Sequence, residues 1–97
     1  MVVIIHGGFW KQQYNIDGAL IDTLAPFFAS EGFVACELEY RRGRLDGGTG
    51  GWPITNEDIN SALFKLHDYS LSNSFVDINK VIILGHSAGK FYAYYTI

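Results

Sequence analysis

The residues of this chain best suited to chemistry are one serine and the glycines around it. Ser87 stands in Gly85-His86-Ser87-Ala88-Gly89, directly behind the apolar run Val81-Ile82-Ile83-Leu84. A serine in Gly-x-Ser-x-Gly between a strand and a helix has a mechanical reason to be there. The turn is so tight that the nucleophile takes strained backbone angles, and the flanking glycines remove side chains that would strike the neighbouring strand and helix. The Oγ is then exposed at the C-terminal edge of a sheet, beside a helix N-terminus whose dipole acts as about half a positive charge. About eighty residues upstream, His6-Gly7-Gly8 follows a second apolar run, Val2 to Ile5. The amides of Gly7 and Gly8 can approach the same point as the Ala88 amide, and together they make an oxyanion hole. Losing one such donor typically costs ~3 to 4 kcal/mol of transition-state stabilisation.

Other polar and aromatic residues have competing readings. Phe9, Trp10 and Trp52 sit on loops at the same edge, where they either line an acyl or aryl pocket or serve as ordinary packing. Asp17, Asp58 and Asp77 each precede or open a helix or turn and read as caps. Arg41 and Arg42 read as partners in loop-fixing ion pairs rather than as substrate ligands. Of the three histidines, His86 flanks the serine but points elsewhere on an elbow, His6 is expected to hold its own loop through local hydrogen bonds, and His67 reads as structural. Cys36 is the only cysteine, so it has no internal disulfide partner, and no metal-ligand spacing surrounds it. Gly85 to Lys90 has one residue too few between its glycines for a phosphate loop, with Phe91 where a magnesium-binding hydroxyl belongs. No metal and no organic cofactor is implied.

These residues need a scaffold, and its elements are legible as periodicities. Val2 to Ile5 is a continuous β-branched run, the pattern of a strand buried on both faces. A helix opening near Asp17 would place Leu20, Ile21, Leu24, Phe27 and Phe28 on one face and end near Gly32, although Pro26 predicts a kink or a later start. Phe33 to Leu38 reads as a second strand. The glycine-rich stretch Arg42 to Pro53 reads as a surface loop. Thr55 and Asp58, three apart, resemble a capping box for a helix with Ile59, Ala62, Leu63 and Leu66 as its apolar stripe, ending over Ser70 to Ser74. Lys80 to Leu84 is a third strand, and Ser87 opens a last helix with Phe91, Tyr92 and Tyr95 on its buried side. Strand and helix alternate three times, which predicts an α/β fold, a three-layer sandwich around a mostly parallel sheet.

Composition narrows the function class. Ninety-seven residues allow one domain, residues 1–97, and 48% hydrophobic against 18% charged residues is a globular balance with nothing that favours disorder. A net charge of −3 with no broad Lys/Arg surface excludes the usual footprint of a nucleic-acid binder. The opening Met-Val-Val-Ile-Ile-His-Gly-Gly has neither a basic leader nor an apolar stretch long enough to span a membrane, which leads to the expectation of a cytoplasmic protein with no membrane partner.

The pieces "HGGFW", "EYRRG", "GGWP", "EDI" and "GHSAG" occur in the order and approximate spacing of the α/β-hydrolase superfamily. The chain most resembles its small esterase and arylformamidase (kynurenine formamidase-like) branches, over Val2 to about Gly89. The resemblance implies a partial α/β-hydrolase fold, with the three strands here as strands 3 to 5 of the family and the helices as A to C. The strand at Val2 should lie between the other two, with the first helix on one face and the later two on the other. Ser87 would be the nucleophile, Gly7, Gly8 and Ala88 the oxyanion hole, and the substrate a small-molecule carboxylic ester or amide. The family triad places its acid and histidine on later loops, and the ten residues after Ser87 contain neither. The expectation is therefore a domain whose base and acid lie outside this chain. The alternative is an inactive truncated paralogue that acts as a binding module and self-associates through its open sheet edges.

Overall fold

Val2, Val3, Ile4 and Ile5 form strand β1 (Val2–Ile5), all four buried. It pairs in parallel with β2 (Ala35–Leu38) on one side and β3 (Ile82–Gly85) on the other, giving the sheet order β2-β1-β3. A central parallel strand is covered on both faces, which is why its sequence runs apolar without alternation. Val2 lies opposite Ala35 and Ile82, and Ile5 opposite Leu38 and Gly85. These details come from a computed structural model that describes residues 1–7, 23–42 and 50–95.

Among the described residues, three helices make the outer layers. Leu24, Ala25 and Phe28 of α1 (Leu24–Ser30) pack against Val2 and Ile4 on one face of the sheet. Ile59, Ala62, Leu63 and Leu66 of α2 (Ile54–Ser72) and Tyr92 of α3 (Ala88–Tyr95) join Val3 and Ile5 on the other. The expected three-layer α/β sandwich is thus present, with its helices divided as right-handed crossovers require. Ile59 is fully buried, and withdrawing a side chain of that size from water contributes about 1.5 to 3 kcal/mol.

Several boundaries differ from the sequence expectation for local reasons. The helix α1 starts at Leu24, so Pro26 is its third residue and its missing N–H falls among the four that have no helical acceptor. Phe27, the next residue, donates the first helical bond, to Thr23 O at 3.1 Å. The expected Asp17, Leu20 and Ile21 lie outside the described residues. Gly32, at φ 90°, ends the helix, while Phe33 N–H closes back on Phe28 O at 3.0 Å. Strand β3 runs one residue further than expected because Gly85 pairs with Ile5.

Two side-chain expectations fail. Thr55 is not an N-cap. The residue flanking the helix is Pro53, and the Thr55 hydroxyl instead donates to Arg41 O at 2.6 Å and accepts from Gly51 N–H at 2.8 Å. Phe91 was expected on the buried side of α3 but is 46% exposed, whereas Tyr92 is 3% exposed. A helix turns about 100° per residue, so once Tyr92 faces the sheet its neighbour Phe91 is carried toward the flank. The side chain of Tyr95 lies outside what is described.

Candidate active site

The turn at Ser87 has the backbone that its sequence predicts. Ser87 has φ 53°, alone in that region among the described non-glycine residues, and its side chain is exposed at the C-terminal end of β3. A β-carbon on Gly89 would collide with the carbonyl of Ile5, and one on Gly85 with the carbonyl of Gly89. The two glycines are therefore required by close backbone approach, on β1 at one side of the serine and on the first turn of α3 at the other. The Gly89 amide donates to His86 O at 2.9 Å and the Lys90 amide to Ser87 O at 3.1 Å, so α3 begins at once after the serine. Among the described residues, no acceptor takes the Ala88 amide, as expected of a helix's first N–H groups.

Gly7 comes to the same place from β1. A β-carbon built on it would stand 2.7 Å from Ser87 Cβ and 2.7 Å from His86 O, so the turn after β1 touches the serine and only glycine leaves room for it. Parallel pairing explains the meeting: β1 and β3 are neighbours in register, so the residues that follow each of them emerge side by side at one sheet edge. The structure thus brings together Gly7, Ser87 and Ala88. Gly8, Phe9 and Trp10 lie outside the described residues. Trp52 stands just before α2, its side chain 70% exposed.

Behind Gly7 lies a polar cluster that the sequence reading did not assemble. His6 is 1% exposed, yet both ring nitrogens are engaged. Nδ1 donates to Gly7 O at 2.7 Å, and Nε2 stands 2.8 Å from Glu39 Oε1. Its ring stacks on Tyr40 with centroids 4.3 Å apart and planes 9° apart, and the Tyr40 hydroxyl donates to His6 O at 2.6 Å. Burial, the neighbouring Tyr92 and the Glu39 carboxylate push the Tyr40 phenol well above its ordinary range, so it remains a donor. Glu39 Oε1 also accepts from Arg42 at 2.6 Å and from the Tyr40 amide at 3.0 Å. The signal for this cluster lies in the register: Ile5 opposes Leu38, so His6 must leave β1 beside Glu39.

The arginines behave as loop-fixing ion pairs, Arg42 with Glu39 and Arg41 with Asp58. Asp58, expected as a cap, accepts from Arg41 Nε and NH2 at 2.7 to 3.1 Å and from the Arg41 amide at 2.9 Å. Those bonds from Arg41 hold its carboxyl below the usual carboxylate range. Asp77 does make a turn, accepting from the Asn79 amide at 3.0 Å.

Among the described residues, no histidine side chain is hydrogen-bonded to Ser87: His6 is engaged with Gly7 and Glu39, His86 is exposed beside the serine, and His67 is exposed on α2. A hollow of about 330 Å³ on α2, lined by Asn60, Leu63, Phe64 and His67, includes no residue of the serine turn. Among the same residues, no group of three or more His, Cys, Asp or Glu gathers as a metal site, and no helix is long and apolar enough to cross a membrane.

Neither the curated proteins nor the solved structures contain a match to this chain. The model of one protein family, BD-FAE, does match, over residues 1–95. That span takes in all three strands and the serine turn, and the chain therefore belongs to the BD-FAE family, an α/β-hydrolase-like group of esterases.

Proposed function

We propose that this chain is the nucleophile-bearing part of a serine hydrolase acting on carboxylic esters or small amides, aryl formamides among them. The observation that carries the reading is the strained Ser87 backbone at φ 53°, packed directly against Gly7. In this reading Ser87 Oγ attacks the substrate carbonyl carbon while its proton passes to a histidine supplied from outside these 97 residues, where the triad acid also resides. The carbonyl π electrons move onto oxygen, and the amides of Gly7, Gly8 and Ala88 receive the resulting oxyanion. As the oxyanion collapses, the alcohol or amine leaves with the histidine's proton. Water then hydrolyses the acyl-serine by the same route. Phe9, Trp10 and Trp52 line the acyl or aryl side of the pocket. Removing a triad partner leaves ~10³- to 10⁴-fold acceleration over water, so the isolated 97 residues are expected to be far slower than the complete site.

The test is labelling by a fluorophosphonate in the protein at its natural length, with Ser87→Ala as control. Loss of both labelling and ester hydrolysis in Ser87→Ala is expected; hydrolysis unchanged by that substitution would exclude the reading. An intact mass of the natural protein above 10.8 kDa would direct the search for base and acid to the additional residues.

A second reading is favoured by the sheet edges. The outer sides of β2 and β3 have no strand partner among the described residues, and Ile82 on β3 is 52% exposed. An inactive chain that pairs edge to edge with a second copy fits that surface. A concentration-independent monomer in sedimentation velocity would rule it out.

A further inference from the structure

The first oxyanion donor on the β1 side belongs to a turn that carries no side chain of its own to hold it. Gly7 has no side chain, and neither has the Gly8 that follows it in the sequence. What the structure provides instead is the His6 ring, whose Nδ1 donates to Gly7 O at 2.7 Å. A trans peptide unit is planar, with its N–H on the edge opposite its C=O. The Gly7 N–H therefore takes its direction from the His6 carbonyl, which the Tyr40 hydroxyl holds at 2.6 Å, while the His6 ring holds Gly7 from its carbonyl side.

His6 is itself held at three points. Glu39 Oε1 lies 2.8 Å from Nε2, the Tyr40 ring is stacked on one face, and the Tyr40 hydroxyl ties the backbone carbonyl of His6. A carbonyl oxygen accepts and does not donate, so Nδ1 carries the proton of its bond to Gly7 O, and Nε2 faces the Glu39 carboxyl group. Glu39 is in turn braced by Arg42 and by the Tyr40 amide. A partly exposed carboxylate at the end of β2 thus reaches, through one buried ring, a backbone unit in contact with Ser87.

We infer that Glu39 is a positioning residue for the oxyanion hole, acting through His6 on the backbone of Gly7. This rests on the reading of Ser87 as nucleophile and goes beyond it, because among the described residues Glu39 is bonded to His6, Tyr40 and Arg42 rather than to Ser87. Its chemistry is distinct from that of a base: no proton leaves the substrate through it.

The experiment is the rate of phosphonylation of Ser87 by a fluorophosphonate, followed by intact mass, in the protein at its natural length. The Oγ–P bond forms, fluoride leaves, and the hydroxyl proton passes to the base or to solvent. The phosphoryl oxygen occupies the place of the oxyanion, so the rate reads the alignment of the donors. Glu39→Ala is expected to lower the maximal labelling rate about tenfold, less than the loss of a whole donor, with the probe concentration at half-maximal rate unchanged. Glu39→Gln keeps a neutral hydrogen-bonding group beside Nε2 and is expected to lose about threefold, as befits a hydrogen bond stripped of its charge. A purely structural role would lower the melting temperature of both variants and leave the maximal rate of the folded fraction alone. Wild-type rates in either folded variant overturn the inference while leaving Ser87 as nucleophile. If the wild-type protein neither labels at Ser87 nor hydrolyses esters, the nucleophile reading fails and takes the positioning role with it.

Discussion

At the scale of single residues, Ser87 is held in a conformation that an L-residue with a β-carbon avoids. The left-handed region costs about 1 to 2 kcal/mol for such a residue, and here the crossing of Gly89 with β1 and of Gly85 with α3 enforces it. Strain at a position whose side chain is exposed on a sheet edge is typical of a functional turn. The two ways of removing the hydroxyl should therefore differ. Ser87→Gly relieves the strain and Ser87→Ala keeps it, so the glycine variant is expected to be about 1 kcal/mol more stable than the alanine variant. Urea denaturation of the two would measure this, and equal midpoints would mean that the turn stores no strain.

At the scale of elements, the question is how the end of β2 is fixed to the start of α2, since that junction also carries Glu39. Arg41 and Thr55 do it together. The guanidinium grips Asp58, and Thr55 bridges Arg41 O and Gly51 N–H from the first turn of the helix. Thr55 is 1% exposed, so Thr55→Val strands two backbone groups in a closed space and is expected to cost about 1 to 3 kcal/mol of unfolding free energy. The ion pair acts through pH. Asp58 is held below its ordinary value of 3.8, so near that value the folded state binds fewer protons than the unfolded chain. Its contribution is present above 3.8 and is lost as pH falls through the lower folded value. Chemical denaturation at pH 7 and pH 3 should show Asp58→Asn less stable than wild type at pH 7, with the gap narrowing at pH 3. A gap independent of pH would show that the pair does not titrate as described. The Arg41 partner is half exposed, so the effect is modest.

At the scale of the whole molecule, the helices cover both faces of the sheet and leave both of its edges open among the described residues. Phe64, Leu71 and Tyr94 are each more than 70% exposed, and Ile82, on the edge strand β3, is 52% exposed. Edge strands of this kind template pairing with another chain, and a lysine on the edge is the usual protection. In the reading in which copies pair edge to edge, Ile82→Lys is therefore expected to weaken that association by about tenfold or more, the equivalent of ~1.4 kcal/mol or more. Sedimentation velocity at matched concentrations would register it, and an unchanged distribution would exclude the β3 edge as the contact.

Much of this architecture is local enough to be read from the chain alone. Val2–Ile5 declares a two-sided strand by its unbroken β-branched run, and Ile59, Ala62, Leu63 and Leu66 declare a helix face by their spacing. Gly85 to Gly89 declares a turn that needs two glycines, because the clash it avoids is built into any strand-turn-helix of that tightness. The partners of individual polar side chains were not legible in the same way. Thr55 and Asp58 have the spacing of a capping box, yet both bond to Arg41, because tertiary packing brings the end of β2 against that first turn. His6 meets Glu39 across 33 positions of sequence because two parallel strands end level with each other. A periodicity reports which face of an element is buried. Which polar groups then meet at its ends depends on register and on helix rotation, and those are set only when the layers close on one another.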